Sequence, residues 1–151
     1  MHPSARGFAL SSLIVAIVIL GILSAVALPM YRDSIKNARL REAHAALLKN
    51  AHAMETFYQQ HGKFKKNSTT WADIPIGKTD HFCLRPNGIA RGALDSRFML
   101  KAVALDQNSE PRVLKINESL SAFLCEGSTS TCDDNKTYFS GSDKKCRPYQ
   151  P

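Results

Sequence analysis

Residues 8–28 read FALSSLIVAIVILGILSAVAL, 21 residues without a charge. As a helix this run is long enough to cross a bilayer core. Arg6 precedes it, and Pro29, Tyr31, Arg32 and Asp33 follow it. A cation ahead of the run favours a cytoplasmic N-terminus. Ala25-Val26-Ala27 could mimic the small-residue site of a cleaved secretory signal, although such signals have a shorter apolar core. Continuity argues against cleavage there, because the helical pattern resumes beyond Pro29.

From Tyr31 to His61 the chain reads YRDSIKNARLREAHAALLKNAHAMETFYQQH. Leu40, Ala43, Leu47, Ala51, Met54 and Tyr58 recur at three- and four-residue steps, with Glu42, Lys49 and Thr56 on the opposite side. The spacing predicts an amphipathic helix, rich in Ala and free of Gly and Pro until Gly62 stops it. Residues 63–80 are polar and predict a connecting loop. Its Lys63, Lys65 and Lys66 read as a solvated cluster, and Trp71 and Ile74 tuck back onto the helix.

Four short alternating segments follow: His81–Pro86, Ser96–Leu105, Pro111–Asn117 and Ser119–Cys125. The first three place Phe82, Leu84, Phe98, Leu100, Ala102, Leu114 and Ile116 on one face, and Cys83, Arg85, Lys101 and Lys115 on the other. A turn over Asp106–Glu110 sets Lys101 directly opposite Lys115, an arrangement of like charges that costs stability unless something uses it. Arg85 on the neighbouring strand makes a row of three cations. The plain alternative is that these long side chains splay into water, where salt screens them. One long helix beside an antiparallel four-stranded sheet is an α+β fold.

The formal net charge of +7 favours polyanionic partners, though many secreted domains are basic. Four cysteines, Cys83, Cys125, Cys132 and Cys146, suit two disulfides in an exported chain, and the residues alone leave three pairings open. Their spacing does not suit zinc. Cys125–Cys146 brackets a Gly-, Ser-, Thr- and Asp-rich segment that reads as a long loop. The five histidines are scattered, and no Ser or Cys has an evident base partner, so the chain reads as a non-enzyme without a cofactor.

The Gly7–Phe8 junction, the charge-free run, Pro29 and the unbroken amphipathic helix resemble a type IV prepilin. KNAHAMETFYQQHGKF (49–64), RPNGIARGALDSRFMLKAVALD (85–106) and the last two cysteines are similar to the competence minor pilins, DNA receptors in natural transformation. The resemblance implies a leader at 1–7, a transmembrane or filament-core half-helix at 8–29 and a globular pilin domain at 30–151. A prepilin peptidase would cut between Gly7 and Phe8 and methylate Phe8. The chain would wait in the inner membrane with its globular domain in the periplasm, then join other pilin subunits in a surface pilus.

The resemblance further implies a Cys125–Cys146 bond closing the C-terminal loop, with Cys83 bonded to Cys132. It assigns DNA binding to an outward stripe at Arg85, Lys101 and Lys115. The neighbouring Arg91, Lys136, Lys144 and Lys145 join as contacts to double-stranded DNA, with a preference for a short uptake sequence. One departure stands out: the family places Glu at the fifth mature position, where this chain has Ser12. A structural or adhesive minor pilin, or a secretion pseudopilin, is the rival reading. The DNA reading of these residues requires the three cations to lie side by side in the open; buried or apart, they leave only the pilus-component assignment.

Overall fold

A computed structural model describes residues 6–151, with side chains from Leu10 onward. Residues 1–5 of the expected leader lie outside the described residues. Helix α1 runs Arg6–His61. The chain divides into two compact units, the first ending at Ala38 and the second spanning Arg39–Pro151.

The first unit is helical and apolar. Its most apolar 18-residue window has a mean hydropathy of 2.8, and none of that window is buried within the chain. By length and composition this helix is long and apolar enough to cross a membrane.

The second unit holds residues 39–61 of α1 and all the strands. Two short strands, β1 (Lys65–Asn67) and β2 (Thr70–Trp71), form a ribbon. The main sheet is an antiparallel meander in chain order, β3 (Phe82–Pro86), β4 (Met99–Ala104), β5 (Val113–Asn117), β6 (Ala122–Ser128) and β7 (Asp143–Pro148). The sheet thus has five strands where alternation predicts four. Strand β7 (DKKCRP) is a solvated edge with no apolar alternation to announce it. It is held by pairing with β6, where Cys146 sits directly opposite Cys125.

Leu40, Ala43, Leu47, Ala51 and Met54 of α1 pack on Phe82, Leu84, Leu100, Ala102, Leu114 and Ile116 of the sheet. This is the face that the three- and four-residue spacing of α1 and the alternation of the strands predict. Asn50 is fully buried among them. It is satisfied by exchanging hydrogen bonds with the Ile76 backbone, donating at 2.7 Å and accepting at 2.9 Å. Trp71 and Ile74 pack against the same core.

Candidate nucleic-acid interface

The register puts the three cations in one row. Lys101 lies opposite Lys115, as the turn spacing predicts, and Arg85 lies opposite Lys101 on the next strand. Because Leu100 and Ala102 face α1, the row belongs to the other face of the sheet.

The row is not open to solvent. Residues 129–142, between β6 and β7, fold over it as a flap. Phe139 is buried with Cys83, Val103, Val113 and Cys125 in a second, smaller core, with Cys132 at its edge. The flap is bonded in place: the Phe139 amide donates to the Pro86 carbonyl at 2.8 Å, and the Gly88 amide donates to the Phe139 carbonyl at 2.6 Å. Two disulfides fix its ends, Cys83–Cys132 and Cys125–Cys146. Gly141 lies so close to Ser130 that a Cβ there would collide with the Ser130 amide nitrogen. Glycine is therefore needed for the flap to seat.

Beneath the flap, one carboxylate serves two lysines. Asp143 accepts from Lys101 Nζ at 2.8 Å through Oδ1 and pairs with Lys115 Nζ at 3.0 Å through Oδ2. Lys101 Nζ also donates to Ser130 Oγ and to the Gly141 carbonyl, each at 3.1 Å. Its three protons thus have three acceptors, which a buried ammonium requires. Burial pushes the Lys101 ammonium below the usual lysine range, against the opposing pull of Asp143. Burial alone would raise the Asp143 carboxyl. Hydrogen bonds from Lys101, Ser128 and Lys115 outweigh that and hold it below the usual carboxylate range. At the row's other end, Arg85 donates to the Asp133 carbonyl and comes within 4.0 Å of the Asp134 carboxylate. Its guanidinium lies 5.5 Å from the Phe139 ring centroid.

The expectation of an exposed stripe is therefore corrected. The Lys101 side chain is 0% exposed, Arg85 13% and Lys115 15%. In this arrangement Lys101 reaches no external phosphate. The repulsion between facing lysines is resolved internally by Asp143, which carries no mark in the sequence as a partner of either. The available signal was the cluster Asp133, Asp134 and Asp143 on a segment tied through Cys132 to Cys83, two residues from Arg85.

Of the other candidates, Arg91, Lys136 and Lys144 are exposed. Lys145 is exposed and pairs with Glu126 at 3.2 Å. Tyr138 is half-buried at the flap edge, and Phe139 serves as the flap's anchor. Lys65, expected in a solvated cluster, is buried instead. It donates to the Ala93 carbonyl at 2.6 Å and pairs with Asp95 at 2.7 Å, fixing the loop between β3 and β4. Gly7 and Phe8 fall within α1.

Comparisons with known proteins agree with this architecture. The family model described as "Type IV minor pilin ComP, DNA uptake sequence receptor" matches residues 29–112. That span contains Arg85, Arg91 and Lys101, and ends before Lys115 and the flap. The solution NMR structure of the minor DNA-uptake pilin ComP from Neisseria subflava shares 48% identity. The match covers 75% of this chain and 97% of that one, with a TM-score of 0.63. The type IV pilin ComP from Neisseria meningitidis shares 50% identity over 75% of this chain and 99% of its own, with a TM-score of 0.50. The type IV major pilin protein PilE1 of Neisseria gonorrhoeae is 39% identical over 70 residues, 46% of this chain. The chain spans only 42% of that relative's length.

Proposed function

The chain belongs to the family of the type IV minor pilin ComP, DNA uptake sequence receptors, and on that premise we propose that it binds extracellular double-stranded DNA for uptake in natural transformation. Residues 1–7 are its leader, cut by a prepilin peptidase before Phe8. Residues 8–29 anchor it in the inner membrane and later join the filament core. Residues 30–151 form the globular domain, periplasmic first and on the pilus surface afterwards. The protein works by binding, without catalysis.

What carries the reading is the family match through residues 29–112, which takes in the β3–β4 loop. The exposed cations Arg91, Lys136, Lys144 and Lys145 are the phosphate contacts. Each phosphate neutralised releases counterions, giving affinity without sequence choice and a strong dependence on salt. Arg85, Lys101 and Lys115 act one layer down, holding the flap through Asp133, Asp134 and Asp143. Preference for a short uptake sequence comes from the loops that reach a groove.

The test uses the full chain in zwitterionic lipid nanodiscs, titrated with duplex DNA at two salt concentrations. Binding at low salt that falls steeply with salt is expected. Replacing Arg91, Lys136, Lys144 and Lys145 together by Ala should flatten the slope of log K against log salt by about 0.9 for each phosphate left without its cation. No binding at low salt rejects the reading. One observation favours a structural minor pilin that does not touch DNA: the central row of cations is already paired within the chain. A deletion strain that lacks pili yet binds DNA normally would decide for it.

A further inference from the structure

The two most exposed large apolar side chains of unit 39–151 sit on one loop. Ile89 is 50% exposed and Leu94 62% exposed, both between β3 and β4. Single exposed apolar residues are ordinary, and on a mobile loop they would mean little. This loop is pinned along its length. The Trp71 indole donates to the Gly88 carbonyl at 2.9 Å. The Phe64 amide donates to the Asp95 carbonyl at 2.9 Å, and the Asn87 amide donates to the Met99 carbonyl at 2.7 Å. Lys65 grips Ala93 and Asp95 from beneath, and Ala90 is buried. Gly88 and Gly92 take φ values of +90° and +77°, left-handed turns that glycine adopts at little cost. With its backbone held this way, the loop cannot tuck Ile89 and Leu94 inward. They are presented.

Two features beside them indicate what they are presented to. Arg91 and Arg97 are exposed on the same loop. Among the described residues Arg91 has no ion-pair partner, and Arg97 approaches Glu118 only at 3.9 Å. Ile89 and Trp71 also line two hollows, one of about 660 Å³ toward the flap and one of about 450 Å³ toward Phe98 and Met99. Ile89 therefore stands on the ridge between them, with Lys136 on the lining of the larger. An apolar ridge flanked by arginines suits a minor groove, where an apolar side chain can enter between stacked bases while the cations meet the phosphates on either side.

We propose that Ile89 is a wedge that enters the DNA minor groove and parts one base step, kinking the bound duplex. The inference rests on the DNA-receptor reading above. Leu94 packs against the sugars of the opened groove, Arg91 and Arg97 hold the phosphates on one side, and Lys136 receives the bent backbone on the other. Wedges of this kind unstack a step and bend the duplex by roughly 20–90°, a cost recovered through wider contact. Pyrimidine–purine steps part most readily. The wedge thus supplies sequence preference without a hydrogen bond to any base.

The experiment separates binding from bending. The full chain in phosphatidylcholine nanodiscs is mixed with a 30-base-pair duplex carrying a donor–acceptor pair at its ends, and with duplexes carrying 2-aminopurine at successive steps. Wild type is expected to bind, to shorten the end-to-end distance and to brighten 2-aminopurine at one pyrimidine–purine step. Compared with wild type at protein concentrations that saturate the DNA, Ile89→Ala should lose both signals and the preference for that step, while Ile89→Leu keeps them. Intact disulfides and unchanged melting of Ile89→Ala certify its fold. Binding by wild type without either signal overturns the wedge and spares the receptor reading, as does unchanged bending by Ile89→Ala. Absence of wild-type binding at low salt overturns both. Unchanged bending combined with poorer filament incorporation of Ile89→Ala and Leu94→Ala would overturn the wedge and assign the loop to docking against another pilin subunit.

Discussion

The two faces of the sheet are both buried, but by different chemistry. The face toward α1 is apolar throughout, apart from Asn50, which is satisfied by the Ile76 backbone. The opposite face has a smaller core of Cys83, Val103, Val113, Cys125 and Phe139, bordered by a buried Lys101–Asp143–Lys115 cluster. The first is held by the hydrophobic effect, which scales with area and tolerates some change of shape. The second covers too little area for that. It depends on covalent closure and on a charge balance that fails if any one member goes. Damage to the first face should therefore unfold the whole unit, and damage to the second should release the flap first.

The largest effect is expected on the α1 side. Phe82 is 1% exposed at the centre of that core. Phe82→Ala should cost about 4–5 kcal/mol, the upper part of the range for a buried phenylalanine. Urea unfolding should show all probes shifting together. Opening the Cys83–Cys132 bond by a double Cys→Ser change comes next. Its sequence separation of 49 is longer than the 21 of Cys125–Cys146. Loop-closure entropy then gives a destabilisation of about 4 kcal/mol for the first bond and about 3 kcal/mol for the second. Hydrogen exchange should rise at Thr129 and Phe139 in the first variant while the Leu100 and Leu114 amides stay protected. A uniform fall in protection would erase the distinction between the faces.

Asp143→Asn should follow, at about 3 kcal/mol, because it leaves Lys101 buried and Lys115 nearly so with no carboxylate between them. Acid should act on the same contact. The folded Asp143 carboxyl titrates below its unfolded value. Its contribution is therefore present above the unfolded pKa of about 3.9 and is lost as the pH falls through the lower folded value. Protection of the flap amides, relative to their intrinsic exchange at each pH, should begin to fall as the pH drops below about 4, and Asp143→Asn should abolish that step. A step unchanged in the variant would assign it to other carboxylates.

The same contrast explains what could be read from sequence. The α1 face was legible because 3.6-residue and two-residue periodicities each sort apolar from polar along one segment. Leu40, Leu47 and Met54 announce one side, and Leu100 and Leu114 the other. The direction and register of Lys101 and Lys115 were legible for the same reason. Their burial was not. It depends on Phe139 and Asp143, from 38 and 42 positions beyond Lys101, folding back as a segment with no periodicity. Strand β7 escaped because beyond Asp143 it is an exposed edge without apolar alternation. Lys65 escaped because a lysine in a polar run looks like any solvated lysine. Only the folded loop supplies the Ala93 carbonyl and Asp95 carboxylate that hold it.

The smallest expected effect concerns Glu126 and Lys145, an ion pair of 3.2 Å whose side chains are 56% and 79% exposed. At this exposure water screens the attraction, and holding two long side chains together costs entropy, so such pairs contribute about 0–1 kcal/mol. Glu126→Gln should leave the urea midpoint almost where it was, in contrast to Asp143→Asn, although each removes a carboxylate paired with a lysine. For DNA the order should reverse. Glu126→Gln frees Lys145 and removes a negative charge beside the proposed phosphate contacts. Affinity at low salt should rise a few-fold, and the salt slope should steepen by up to about 0.9 as Lys145 gains a full phosphate partner. Asp143→Asn exposes no lysine until the flap opens, so its effect on DNA should appear only under conditions that also speed flap exchange. If Glu126→Gln leaves both affinity and slope unchanged, Lys145 does not belong to the DNA surface. The exposed contacts then reduce to Arg91, Arg97, Lys136 and Lys144.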